Sequence, residues 1–77
     1  MLAQYGFEIA RVTPGFTATF ATSTVRNDER KINTAWDYLY AVWLQNSMFQ
    51  YTDEPYYEEY LLTNGKPVKL KLYLPIQ

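Results

Sequence analysis

The chain has 77 residues, of which eight are acidic and seven basic, for a net charge of −1, and it contains neither cysteine nor histidine. That composition excludes disulfides, thiolate or imidazole metal sites and histidine-assisted nucleophiles. It supplies no overall basic field for a phosphate backbone, so direct nucleic-acid binding is not expected.

One domain of this size buries only roughly 60–65% of its unfolded surface, so its stability is marginal. Aromatic residues make up 18% of the chain, including eight tyrosines and two tryptophans. Tyrosine is amphipathic and is enriched where proteins meet partners or ligands. Met1-Leu2-Ala3-Gln4 has no charged segment leading into an apolar one, so no secretory leader is expected. No apolar run approaches 18 residues, so no membrane span or membrane partner is expected. These features point to a cytoplasmic protein.

Phe7 to Val12 alternates apolar and polar residues, and Phe16 to Thr22 resumes with β-branched and aromatic types. Between them lies Thr13-Pro14-Gly15. The pattern predicts one long edge strand, kinked or bulged at Pro14-Gly15. It puts Phe16, Ala18 and Phe20 on one face and Thr17 and Thr19 on the other. Ser23 to Asn27 reads as a polar loop.

Asn27 is a plausible N-cap, with Asp28 and Glu29 in a first turn where acids suit the helix dipole. From Glu29 to Gln45 the period becomes helical, with Ile32, Trp36, Leu39 and Trp43 spaced by four, three and four. Ala35, Tyr40 and Val42 widen that stripe. The stripe must be buried on a sheet, which makes Trp36 and Trp43 core anchors before ligand contacts. Asn46-Ser47 ends the helix, and Gln50 to Pro55 reads as a loop.

Tyr56 to Ile76 predicts a hairpin. Asn64-Gly65 suits a type I′ turn, which needs positive φ at both central residues. Val68, Leu70, Leu72 and Leu74 alternate with Lys69, Lys71 and Tyr73, the mark of a half-buried strand. A two-residue turn pairs Leu61 with Val68, Tyr60 with Lys69, Glu59 with Leu70, Glu58 with Lys71 and Tyr56 with Tyr73. Glu59 on the aliphatic face is the flaw in this register, and a one-residue slip would exchange Glu58 and Glu59.

The expected fold is α+β. It is a strand-helix-strand-strand module with one helix on a three-stranded antiparallel sheet. Its uncovered face would carry Thr17, Thr19, Tyr56, Glu58, Tyr60 and Tyr73.

Three ordered motifs carry a resemblance. They are Ala35-Trp36-x-Tyr38-Leu39-Tyr40-x-x-Trp43-Leu44-x-x-Ser47, Tyr57-Glu58-x-Tyr60 and Leu72-Tyr73-Leu74-Pro75-Ile76. Together they resemble the effector-binding domain of the gyrase-inhibitor-like superfamily, found at the C-terminus of AraC-type and some MerR-type transcription regulators. Gln45 and Met48 depart from the proline and glycine frequent in that family, and Thr17 from a common tyrosine. The family domain has two strand-helix-strand-strand modules, and residues 1–77 resemble only the second.

The resemblance implies a module for hydrophobic cationic ligands, linked to transcription regulation; the residues supply no nucleophile, metal site or oxyanion hole, so a non-enzymatic role is expected. It makes Glu58 the acidic contact, with Tyr60 and Tyr73 beside it and Tyr56 and Trp36 completing the site. No cofactor or metal is implied. The missing module implies a homodimer that brings two Glu58 side chains together at a twofold cleft, or else a fragment or split partner that needs a different module. The alternative is a protein-interaction module that uses the uncovered sheet face.

Overall fold

A computed structural model describes residues 10–16 and 18–77. Phe7 to Ile9 of the predicted first strand, and Thr17, lie outside the described residues. The elements are β1 (Arg11–Pro14), β2 (Thr19–Arg26), one helix, β3 (Tyr57–Thr63) and β4 (Lys66–Ile76). The helix runs as α1 (Glu29–Asp37), a π-helical segment (Tyr38–Trp43) and α2 (Leu44–Asn46). The strands form one antiparallel sheet in the order β1-β2-β4-β3. The fold is therefore α+β, with one helix on a sheet of four strands instead of three.

The additional strand comes from the N-terminal region. The predicted kinked strand is a hairpin, with Pro14 opposite Thr19. The Gly15 N–H donates to the Ala18 carbonyl at 2.8 Å and closes the loop. A Cβ on Gly15 would stand 2.9 Å from that carbonyl oxygen and 2.9 Å from the Phe20 ring, so the reversal needs glycine. Pro14 ends β1 on the sheet edge, where its missing N–H costs least.

The strand β2 extends through Arg26, across the predicted polar loop, and its facing is the reverse of the expectation. Ala21, Ser23 and Val25 lie under the helix, whereas Phe20 lies on the far face with Thr22 and Thr24. Thr19 pairs with buried Ile76, so it too sits on the helix side. Small residues at the centre of the sheet let the helix pack close, and the bulky Phe20 takes the far side, the open face that no described helix or strand covers. Serine and threonine within this strand hide its apolar alternation. The hydroxyl of Thr22 reaches the Arg11 carbonyl at 3.4 Å, which answers the cost of burying it.

The helix starts one residue later than predicted. Asp28, not Asn27, is the cap, and its carboxylate accepts the Lys31 N–H at 3.1 Å. Asn27 instead binds β4: its N–H donates to the Val68 carbonyl at 3.0 Å and its amide to the Pro67 carbonyl at 2.7 Å. The π-helical segment widens one turn, so burial steps from Ala35 to Leu39 to Leu44. That extra residue rotates Tyr40 and Val42 out of the expected stripe, and both are exposed. Trp43 stays partly buried and stacks on Phe49 at 6.1 Å between ring centres.

The chain between helix and β3 is tied down. Gln50 and Gln77 exchange backbone hydrogen bonds at 2.8 and 2.9 Å, and Tyr51 bridges Ile76. In β4, Leu70, Leu72 and Leu74 are fully buried, as the alternation predicts. With Val25, Ala35, Leu39 and Ile76 they form the core. Each large aliphatic residue contributes about 1.5–3 kcal/mol by burial.

Asn64 and Gly65 both have positive φ, 53° and 77°, as the predicted turn demands. Two residues further, the predicted register breaks. Leu62 faces Pro67, but Leu61 faces Lys69, so Val68 is an extra residue on β4. Pro67 has no N–H for the ladder, and Asn27 holds the carbonyls of both Pro67 and Val68. Those bonds favour a bulge at this point. Beyond it, Tyr60 faces Leu70, Glu58 faces Leu72, Glu59 faces Lys71 and Tyr57 faces Tyr73. The two acids have exchanged faces relative to the two-residue register.

Candidate functional site

Glu58 lies on the helix side of the sheet, at the edge strand β3. Its Oε2 accepts the indole N–H of Trp36 at 2.7 Å. An N–H to carboxylate bond is charge-assisted, and it orients both groups. Trp36 stands on the helix with one side against the core and its N–H toward β3.

Three tyrosines continue the site. Tyr56 meets the Trp36 ring edge-on at 5.2 Å between centres, the planes inclined by 74°. Tyr40 lies 5.9 Å from Trp36, and Tyr51 lies 5.8 Å from Tyr40. Asn33, Trp36, Tyr40, Tyr56 and Glu58 line an open groove of about 340 Å³. Burial of the Tyr40 phenol and the neighbouring Tyr51 push the Tyr40 pKa up. The groove therefore combines one exposed carboxylate with several aromatic rings, a setting that attracts organic cations by charge and by ring quadrupoles.

Of the five residues expected at the site, Glu58, Trp36 and Tyr56 come together. Tyr60 is on the same side of β3 but opposite Leu70, one pair nearer the turn, and it does not line the groove. Tyr73 is on the other face and is separated from Glu58 by the sheet. The expected pairing of Glu58 with Lys71 is likewise replaced by Glu59 with Lys71. Glu58, Tyr56 and Tyr60 all leave the list of uncovered-face residues. Asn33 and Tyr40 were missed. They lie three residues before and four after Trp36, a helical spacing that places them on its face. Tyr51 was hidden in an apparent loop.

The open face has its own acid. The Tyr73 hydroxyl donates to Glu59 Oε1 at 2.6 Å. That bond, with partial burial and repulsion from the carboxylate, pushes the Tyr73 phenol up to about 12. Phe20 packs edge-on against Tyr57 at 5.8 Å and Tyr73 at 5.7 Å. The Lys71 ammonium stands 5.3 Å from the centre of the Tyr73 ring.

No family model, curated protein or solved structure matches the chain. Among the described residues, no helix is long and apolar enough to cross a membrane.

Proposed function

We propose that the protein is a non-enzymatic binding module for hydrophobic organic cations, of the gyrase-inhibitor-like type that its sequence motifs resemble. The observation that carries this reading is the Trp36 to Glu58 hydrogen bond, which holds a carboxylate beside Tyr56 and Tyr40. A cation in the groove meets the carboxylate and two or three ring faces. Cation–π attraction adds about 0.5–2 kcal/mol for each well-placed ring. Glu58 and Glu59 point to opposite faces and cannot act as a carboxylate pair, which favours binding over catalysis.

The resemblance to a two-module domain makes a homodimer part of this proposal, and a cytoplasmic role in transcription regulation its setting. The strand β3 is a sheet edge, with Tyr60 and Leu62 exposed on the Glu58 side. Pairing two such edges about a twofold would set two Glu58 grooves side by side. Light scattering coupled to gel filtration should give about twice the 9.1 kDa of one chain. A monomer at micromolar concentration would count against the dimer.

The test of binding is titration with crystal violet, a hydrophobic cation, against its neutral leuco form, read by quenching of tryptophan fluorescence. The cation should bind more tightly. Glu58→Gln should weaken it about tenfold or more, a loss of about 1.4 kcal/mol, and Glu59→Gln should do little. Equal effects of the two substitutions would remove Glu58 from the site.

A further inference from the structure

The net charge of −1 argues against a polyanionic partner, but the charge is unevenly placed. Arg11, Arg26, Lys69 and Lys71 all lie on the open face of the sheet, where Glu59 is the acid among the described residues. Arg26 is directly opposite Lys69, and Lys71 follows two residues along. Like charges paired across strands destabilise a sheet, so this arrangement suits an anion that relieves the repulsion.

The same end of the sheet opens into a groove of about 640 Å³ lined by Arg26, Lys31, Lys66 and Lys69, with Asp28 as its acid. Asp28 is already engaged with the Lys31 N–H. Face and groove together hold six of the seven basic residues in the chain. Past Lys71 the open face becomes aromatic, with Phe20 in contact with both Tyr57 and Tyr73. Tyr57 is half exposed.

We propose that the open sheet face binds single-stranded nucleic acid. The backbone runs from the basic groove along Arg26, Lys69 and Lys71, and bases stack on Tyr57 and Phe20. Cations that track a backbone, beside rings that take bases, form the platform by which sheets hold single strands. The rings favour a single strand over an acidic protein, because every base brings a flat face that stacks on them. The proposal does not depend on the Glu58 groove, which lies on the opposite side of the sheet.

The test is fluorescence anisotropy with a fluorescein-labelled twelve-nucleotide oligouridylate at 50 to 200 mM salt, and with a duplex of equal length. The single strand should bind at 50 mM salt and the duplex at least about tenfold more weakly. Affinity should fall with salt at a log–log slope of about −0.7 per phosphate contact. Arg26→Gln with Lys69→Gln should flatten that slope by about 1.4. Tyr57→Ala should weaken binding about 5- to 150-fold with the slope unchanged. Glu58→Gln should leave binding intact. Thermal melts of each variant show whether it is folded. Three results would overturn the proposal: no binding at 50 mM salt, equally strong competition by polyglutamate, or an unaltered affinity in folded Tyr57→Ala.

Discussion

Glu58 and Glu59 are adjacent in the chain but live in different surroundings. Glu58 looks toward the helix, takes an indole N–H and stands in an aromatic groove. Glu59 looks toward the open face, takes a phenol O–H and stands opposite a lysine. Because strand side chains alternate, one inserted residue decides which acid meets which partner. That residue is Val68, and the bonds that favour its insertion come from Asn27, 40 residues before Pro67.

The two faces should differ most in stability. Leu72 lies directly opposite Glu58 on the helix side and is fully buried. Leu72→Ala should cost roughly 2–4 kcal/mol in urea denaturation, or abolish folding in so small a chain. Lys71→Ala, one residue away on the open face, should change stability by less than about 0.5 kcal/mol. Similar losses for the two variants would erase the distinction between the faces.

Breaking the turn tests how the register is held. Gly65 has φ of +77° and an added Cβ would meet nothing within 4 Å, so Gly65→Ala should cost about 1–2 kcal/mol from backbone strain alone. A neutral result would show that the turn does not constrain the hairpin.

The smallest expected effect is a titration. Tyr73 ionises at about 12 when folded, against a reference of 10.0. The folded state therefore holds this proton more tightly than the unfolded one. The stability it contributes is complete below pH 10 and is lost as pH rises through 12. Absorbance near 295 nm should show a late-titrating phenol that moves earlier in Glu59→Gln and stays in place in Glu58→Gln. A shift in the second variant alone would assign the phenol to the wrong acid.

The legible parts of this fold are those set by neighbours in sequence. Asn64-Gly65 dictates its own turn, and Leu70, Leu72 and Leu74 declare their face by alternation. The helix is evident from Ile32, Trp36 and Leu39. The hidden parts depend on distant residues or on size. The bulge depends on Asn27, Pro67 and Val68 together. The facing of β2 follows from how closely a helix can approach Ala21 and Ser23, which no hydropathy pattern records. The π-helical turn brings Leu44 into the core and leaves Tyr40 exposed beside Trp36, a residue that the apolar stripe had assigned to the core. Tyr73 was misplaced with Glu58 because the resemblance paired them and the unbulged register agreed by putting them on one face.

The central claim is that register, and nuclear Overhauser contacts between backbone protons of β3 and β4 test it most directly. The bulged pairing predicts cross-strand contacts of Tyr57 with Tyr73 and of Glu59 with Lys71. Contacts of Tyr56 with Tyr73 and of Glu58 with Lys71 would contradict it and return Glu58 to the open face.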